Sequence, residues 1–371
     1  MNFIVSQSEL DKHLQMVKSV INSKNTNPIL DNFLFIVEPD RLQIIGSDGA
    51  SIVSTELPLE ASGSGKYAIP ADKLASTIHS LYDQPLTFTF DNNQLRITAE
   101  KGKYNLPVID GEDFPLPSEI ENPFERSVAG SQLAEAIAKT IFATGNDELR
   151  VAMNGLLFHF KPDRFNVVAT DAHKLVRYSI TDIAGEENAD LQYILPKKPM
   201  QILRNLLGKT DEEVLMKFSD KKAEFIFDNI RVFTTLIESR YPQYEMVIPT
   251  NNRFTLIADR KMLIDSLKRV TNFANQSTYL VELSLTGTIL KIKASNPDMS
   301  SEAEEELTVN YTGEDLEIGF NGRSLSEMLS ALDSEEVEMT FDSPKRATLI
   351  RPLDGLAENE DILMLLMPIA L

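Results

Sequence analysis

Apolar and polar positions recur in the same order three times along the chain, about every 125 residues. Each copy opens with apolar residues at helical spacing: Leu10, Leu14, Val17 and Ile21, then Leu133, Ile137 and Ile141, then Leu263, Leu267, Val270 and Ala274. That spacing lays one apolar stripe along each helix. A pair of strand-like stretches follows, at residues 32–37 with 41–45, 154–160 with 165–169, and 280–285 with 289–294. Small polar turns come next, Ser47-Asp48-Gly49, Thr170-Asp171-Ala172 and Ser295-Asn296-Pro297, in which an Asp or Asn side chain can close onto nearby backbone.

A second helix is expected in each copy. It carries Leu74, Ile78 and Leu81, then Met200, Leu203 and Leu207, then Leu325, Leu329 and Leu332, and Pro70 and Pro196 suit its entrance. Alternating stretches at 86–90, 215–218 and 337–341 close the copies with the period of two of a half-buried sheet. The pattern predicts an α+β protein of three tandem units, each with two helices packed on antiparallel strands. Pro-rich text around 113–123 and 241–252 sets expected domains of 1–125, 126–250 and 251–371. Repetition establishes architecture and leaves function open.

Composition narrows the classes. With 371 residues, 42% hydrophobic and 25% charged, the chain suits several ordinary domains. It has no run approaching the roughly 20 apolar residues of a membrane span. It starts Met-Asn-Phe-Ile-Val-Ser with no secretion signal, so a cytoplasmic location is expected. The absence of Cys excludes disulfides, thiolate nucleophiles and sulfur-ligated zinc. No phosphate-binding loop, dinucleotide fingerprint or H-E-x-x-H helix occurs, and the four His have no ligand spacing, so no metal or cofactor is expected. The strongest enzyme candidate is Thr170-Asp171-Ala172-His173, but this is a strand-end turn that recurs in the other copies without His.

The net charge of −20 is unusual for a protein that touches nucleic acid. Its distribution changes that picture. The three thirds hold 10 basic against 18 acidic, 15 against 17, and 11 against 21 residues. The six expected helices carry a net +7, leaving −27 for the rest of the chain. Helices facing a channel would then make a mildly basic lining inside an acidic shell, a field that tolerates a duplex without gripping it.

Several motifs share one resemblance: Asn27-Pro28-Ile29-Leu30, Asn154-Gly155-Leu156-Leu157-Phe158, and the run from Ala169 through Thr170-Asp171-Ala172-His173-Lys174 to Leu175. To these are added the run from Arg240 to Pro249, Glu317-Ile318-Gly319-Phe320-Asn321 and Met367-Pro368. In this order and spacing the chain resembles, over its whole length, the bacterial DNA polymerase III beta subunit, a DNA clamp family. The resemblance implies a non-catalytic processivity factor, with three clamp domains per chain and a head-to-tail homodimer forming a closed ring, helices inside and sheets outside. It implies sequence-independent binding of double-stranded DNA, with phosphate contacts at Lys24, Arg150, Lys197 and Lys198. It also implies a pocket for linear peptides from the DNA polymerase III alpha subunit, the clamp loader, other polymerases and repair proteins. The matching pocket positions are Met153, Thr170, His173, Leu175, Pro242, Met246, Val247, Pro344, Arg346, Leu366, Met367, Pro368 and Ile369. The implied subunit seam falls on Lys73, Tyr104 and Leu106 against Asn272, Phe273, Glu304 and Glu305. The chain departs from some relatives at Asp72, at Val151-Ala152, and in its Ile369-Ala370-Leu371 ending. Two other classes stay open on sequence alone: an enzyme with a site near His173, and a scaffold that binds proteins and never DNA.

Overall fold

A computed structural model describes residues 1–22, 25–91, 93–183, 190–208 and 212–371. The first third runs β1 (Asn2–Ser6), α1 (Gln7–Lys18), β2 (Asn32–Val37), β3 (Arg41–Ser47), β4 (Ser51–Pro58), β5 (Gly65–Pro70), α2 (Ala71–His79), β6 (Pro85–Asp91), β7 (Gln94–Ala99), β8 (Gly102–Pro107) and β9 (Ile109–Asp110). The second runs β10 (Phe124–Ala129), α3 (Gly130–Thr140), β11 (Gly155–Phe160), β12 (Phe165–Thr170), β13 (Lys174–Ile180), β14 (Leu191–Pro196), α4 (Lys197–Leu207), β15 (Glu213–Phe218), β16 (Lys222–Phe227) and β17 (Ile230–Thr235). The third runs β18 (Phe254–Asp259), α5 (Arg260–Thr271), β19 (Leu280–Thr286), β20 (Ile289–Asn296), β21 (Ser301–Thr308), β22 (Asn310–Thr312), β23 (Leu316–Asn321), α6 (Gly322–Ser330), β24 (Glu336–Phe341), β25 (Thr348–Pro352) and β26 (Glu360–Leu366).

All six expected helices form, and each follows a strand without a loop. Asp259 and Asn321 cap α5 and α6 by accepting from the amides of Met262 and Ser324 at 2.8 and 3.0 Å. The helices are shorter than their apolar patterns suggest. Ile21 and Leu81 lie past the ends of α1 and α2, and Ile141 begins a 3-10 turn. The turns that close the second strand of each copy diverge in the third. In the first, Asp48 Oδ1 accepts from the amides of Ala50 and Ser51 at 3.1 and 2.8 Å, and Gly49 takes a positive φ. In the second, Asp171 Oδ1 accepts from His173 and Lys174 at 2.9 and 2.8 Å. In the third, β20 continues through Asn296, Pro297 starts a 3-10 turn, and the Asn296 side chain makes no capping bond.

By contacts the chain divides into two compact units, Met1–Ala134 with Lys198–Leu236, and Glu135–Lys197 with Ile237–Leu371. The units cut through the second repeat. The reason lies in the sheets. In the first unit a four-stranded sheet, β1-β6-β7-β8, accompanies a nine-stranded sheet, β10-β15-β16-β17-β4-β3-β2-β5-β9. In the second, the order β14-β11-β12-β13-β26-β25-β24-β18-β22 accompanies β21-β20-β19-β23. Each nine-stranded sheet joins two repeats through one antiparallel pair, β17 with β4 (Ile230 opposite Thr55) and β26 with β13 (Ile362 opposite Tyr178).

In the first unit α1 buries Leu10, Leu14 and Val17 against β3 and β4. Gly46 permits the approach, since a Cβ there would stand 2.8 Å from Val17 Cγ1 and 2.9 Å from Val17 O. His13 is buried on the same face, its Nδ1 2.7 Å from Thr55 Oγ1. Burial lowers its pKa below the ordinary 6.5, against the opposing pull of Glu9 and Asp228. The unfolded chain therefore takes up this proton more readily than the folded one. Stability that rests on neutral His13 is present above about pH 6.5 and is lost as pH falls below it. Urea unfolding between pH 7.5 and 5 should show this as a slope in wild type of up to about 1.4 kcal/mol per pH unit beyond that of His13→Asn; parallel slopes would refute the assignment.

Candidate functional site

The Arg240–Pro249 motif and the C-terminal tail meet in the second unit. β13 lies between β12 and β26, with Leu175 opposite Leu365 and Lys174 opposite Leu366. All of Ile362 to Leu366 is buried, so this apolar run is an inner strand covered on both faces. Past it, the Met367 amide donates to His173 O at 2.9 Å and the Ile369 amide to Gly319 O at 2.8 Å, which fixes the tail. A cluster of Leu175, Tyr241, Tyr244, Ala347, Leu349 and Leu365 forms the apolar base. Burial raises the phenol pKa of both Tyr241 and Tyr244, so both hydroxyls stay protonated.

Above this base lies a cleft of about 660 Å³ whose lining includes Met246, Val247, Pro249, Arg346, Ala347 and Met367. Met246, Val247 and Met367 are 79%, 57% and 39% exposed, a concentration of apolar surface that a free monomer leaves in water. Arg346 at the rim bonds Asp342 and Asn251. The thirteen expected pocket positions are therefore not in one cavity. Four line this cleft, and Leu175 lies in its base. Pro344 and Ile369 line a neighbouring cleft of about 730 Å³ with Leu371, and Pro242 borders a smaller one beside Tyr241 and Met246. Leu366 is buried, Met153 and Pro368 are half-buried, and Thr170 closes the turn by donating to Lys174 O at 2.8 Å. Ile248, Pro249 and Ala347 were missed as lining residues, although the first two lie inside the Arg240–Pro249 motif.

The Asp171–His173 pair has no catalytic geometry. Burial works to raise the Asp171 pKa, and its bonds from the Lys174 and His173 amides and the Lys174 ammonium overcome that and lower it. The carboxylate is consumed by its own turn. Among the described residues no cluster of three or more His, Asp or Glu could hold a metal ion, and no helix is long and apolar enough to cross a membrane.

Of the four expected phosphate contacts, Lys24 lies outside the described residues. Arg150 is exposed, with Asp147 at 3.5 Å, and Lys197 is half-buried at the start of α4. Lys198 differs, because its ammonium donates to Val20 O at 2.9 Å, Asn22 Oδ1 at 2.7 Å and Asp48 Oδ2 at 2.6 Å. All three donors are used within the chain. Asp72 pairs with Lys18 at 3.1 Å. The six helices as observed carry a net +6, with α4 and α5 supplying it.

Of the expected seam residues, Tyr104 and Leu106 lie on β8 and Glu304 and Glu305 on β21, both outermost strands, while Lys73 lies on α2 and Asn272 and Phe273 follow α5. Tyr104 is half-buried and Leu106 buried within β8, while Lys73, Asn272 and Phe273 are exposed. Glu304 pairs with Lys291 at 3.0 Å. Glu305 accepts from Arg269 and Ser266, and these bonds hold its carboxyl down to about 2.

Comparison with known proteins agrees with this geometry. Models of the N-terminal, central and C-terminal domains of the DNA polymerase III beta subunit match residues 1–118, 127–243 and 245–370. The beta sliding clamp of Haemophilus influenzae is 30% identical over 352 residues, covering 94% of this chain and 95% of its own. That of Pseudomonas aeruginosa is 29% identical with full coverage of both. A crystal structure of the Pseudomonas aeruginosa clamp bound to griselimycin superposes with a TM-score of 0.94 at 29% identity, covering all of both chains. One from Bartonella birtlesii, also bound to griselimycin, gives 0.94 at 28% with the same coverage. The chain has the three-domain clamp fold and belongs to the DNA polymerase III beta subunit family, the beta sliding clamps, non-catalytic processivity factors of DNA polymerase III.

Proposed function

We propose that two copies of this chain close head to tail into a ring around duplex DNA, each copy contributing three domains, 1–125, 126–250 and 251–371. In this reading the cleft beside Met246 and Met367 receives short linear peptides from the DNA polymerase III alpha subunit, the clamp loader, and other polymerases and repair proteins. The observation that carries it is the state of two sheet edges. β17 and β26 hold the same position in their repeats as β8, and β4 and β13 the same as β21. The first kind joins the second kind at both junctions inside the chain, and β8 and β21 are the members left over. β1, β9, β10, β14, β22 and β23 also end sheets, but none of these positions joins repeats. Transferring the internal register sets Glu304 opposite Lys103 of a second copy and Ala303 opposite Tyr104, with the half-buried positions of both strands on one face. Such pairing satisfies edge amides and carbonyls that otherwise invite uncontrolled association.

The helix charge of +6 in a chain of −20 supports weak, salt-sensitive and sequence-independent contact with phosphates. The cleft supports a peptide with two apolar anchors. Burying them contributes roughly 3 to 6 kcal/mol, and ordering the peptide offsets part of it. Affinity near micromolar suits partners that exchange.

Three measurements test the reading. Lys103→Glu combined with Phe273→Asp should turn the dimer into monomer in equilibrium sedimentation at micromolar concentration, since Phe burial is worth roughly 1.5 to 3 kcal/mol and like charges then oppose across the strands; a persistent dimer removes the seam. For DNA, Lys197→Ala should lower the salt slope of duplex binding with stability unchanged. Lys198→Ala should instead lower the melting temperature, and the reverse pattern would show that the two lysines have been assigned the wrong roles. Deleting residues 367–371 should weaken binding of a Leu- and Phe-bearing peptide by at least about tenfold in fluorescence anisotropy while leaving the dimer intact; equal affinity in both proteins means the partners bind elsewhere.

A further inference from the structure

One wall of the cleft is the short 3-10 turn Tyr244–Val247, and its four residues face two ways. Met246 and Val247 are exposed to the cleft. Tyr244 is buried, and Glu245 reaches Lys161 Nζ at 2.6 Å. The Tyr244 hydroxyl lies in a buried polar chain that no expected site residue explains. It is 2.9 Å from His159 Nδ1 and accepts from Asn166 Nδ2 at 3.2 Å. Asn166 Oδ1 in turn accepts from Ser179 Oγ at 2.7 Å, and His159 Nε2 contacts the Asp190 carboxylate.

The direction of this chain follows from its ends. A carboxylate only accepts, so a His159 ring carrying a single proton places it on Nε2 toward Asp190. In that tautomer Nδ1 accepts and the Tyr244 hydroxyl donates to it. Ser179, Asn166, Tyr244 and His159 then each donate to the next, and Asp190 accepts at the end of the chain. Tyr241 and Tyr244 also fill the apolar base, so packing alone would tolerate a phenylalanine at 244. The hydroxyl adds direction: it anchors the turn to β11 and β12 and fixes where Met246 and Val247 stand.

We infer that Tyr244, held by His159, is a positioning residue for partner-peptide binding: it touches no peptide itself and sets the wall against which the peptide's apolar anchor packs. This rests on the cleft being the peptide site. The turn's backbone bonds are few, Tyr244 N to Pro242 O at 2.7 Å, Met246 N to Gln243 O at 3.1 Å and Ile248 N to Glu245 O at 3.3 Å, so the side-chain anchor has leverage over where its exposed residues stand.

The test is a titration of the full dimeric protein with a short fluorescein-labelled peptide carrying Leu and Phe anchors, with thermal melts in parallel. Val247→Asp checks the cleft and should abolish binding. Tyr244→Phe should weaken the peptide between about threefold and tenfold, the range of one lost hydrogen bond, with faster amide exchange at Met246 and Ile248. His159→Asn retains an acceptor near the position of Nδ1 and should bind better than His159→Leu, even if the leucine variant melts higher. A role in packing alone gives the opposite order. If Val247→Asp leaves affinity unchanged, the cleft reading fails and this inference with it. If Val247→Asp abolishes binding but Tyr244→Phe binds like wild type, or His159→Leu binds as well as His159→Asn, the cleft stands and the positioning role is overturned.

Discussion

An open β-sheet ends in a strand whose outward amides and carbonyls lack a ladder partner, and the organisation of this chain follows from where those groups are satisfied. At two places the last strand of one repeat meets an outer strand of the repeat before it, β17 on β4 and β26 on β13. These ladders turn separate sheets into sheets of nine strands. They also explain why contacts divide the chain through the middle of a repeat. Backbone pairing joins what the sequence repeat separates.

The β13–β26 junction does more than join repeats. Leu175 and Leu365 face each other across it and belong to the cluster beneath the cleft, and the Met367 amide continues the ladder to His173. The groove that gathers Met246, Val247 and Met367 is therefore built on a seam between the second and third repeats. Neither repeat contains it alone. A site of this kind needs no loop of its own beyond the Tyr244–Val247 turn, because rigid strands supply its base.

Much of the fold was legible in the sequence because each element carries a local period. Leu10, Leu14 and Val17 at helical spacing, and the alternation of residues 86–90, depend only on which face is buried. The two Asx turns were legible from their local residues, whereas in the third β20 runs on through Asn296 and its side chain makes no cap. The candidate site was less legible, since its geometry is set by residues far apart in the chain. His159 and Tyr244 are 85 positions apart, and Lys198 meets Asp48 across 150. No period along the sequence records such pairs. The resemblance implied a phosphate contact at Lys198, and no sequence pattern shows that the folded chain holds its ammonium in an internal tether. The tail run Ile362 to Leu366 is an inner strand with a ladder on both its sides.

The composition of β21 bears on what happens before two chains meet. Its outward positions carry Glu302, Glu304 and Glu306, answered within the chain by Lys291 and Lys293 on β20. Two such edges laid antiparallel would set glutamates opposite glutamates, and like charges directly opposite disfavour the ladder. β8 carries Lys103 instead. An open strand of backbone bonds is ordinarily an aggregation hazard in a newly made chain. Here the glutamates make the edge a poor template for its own kind, which disfavours growth by edge-to-edge pairing.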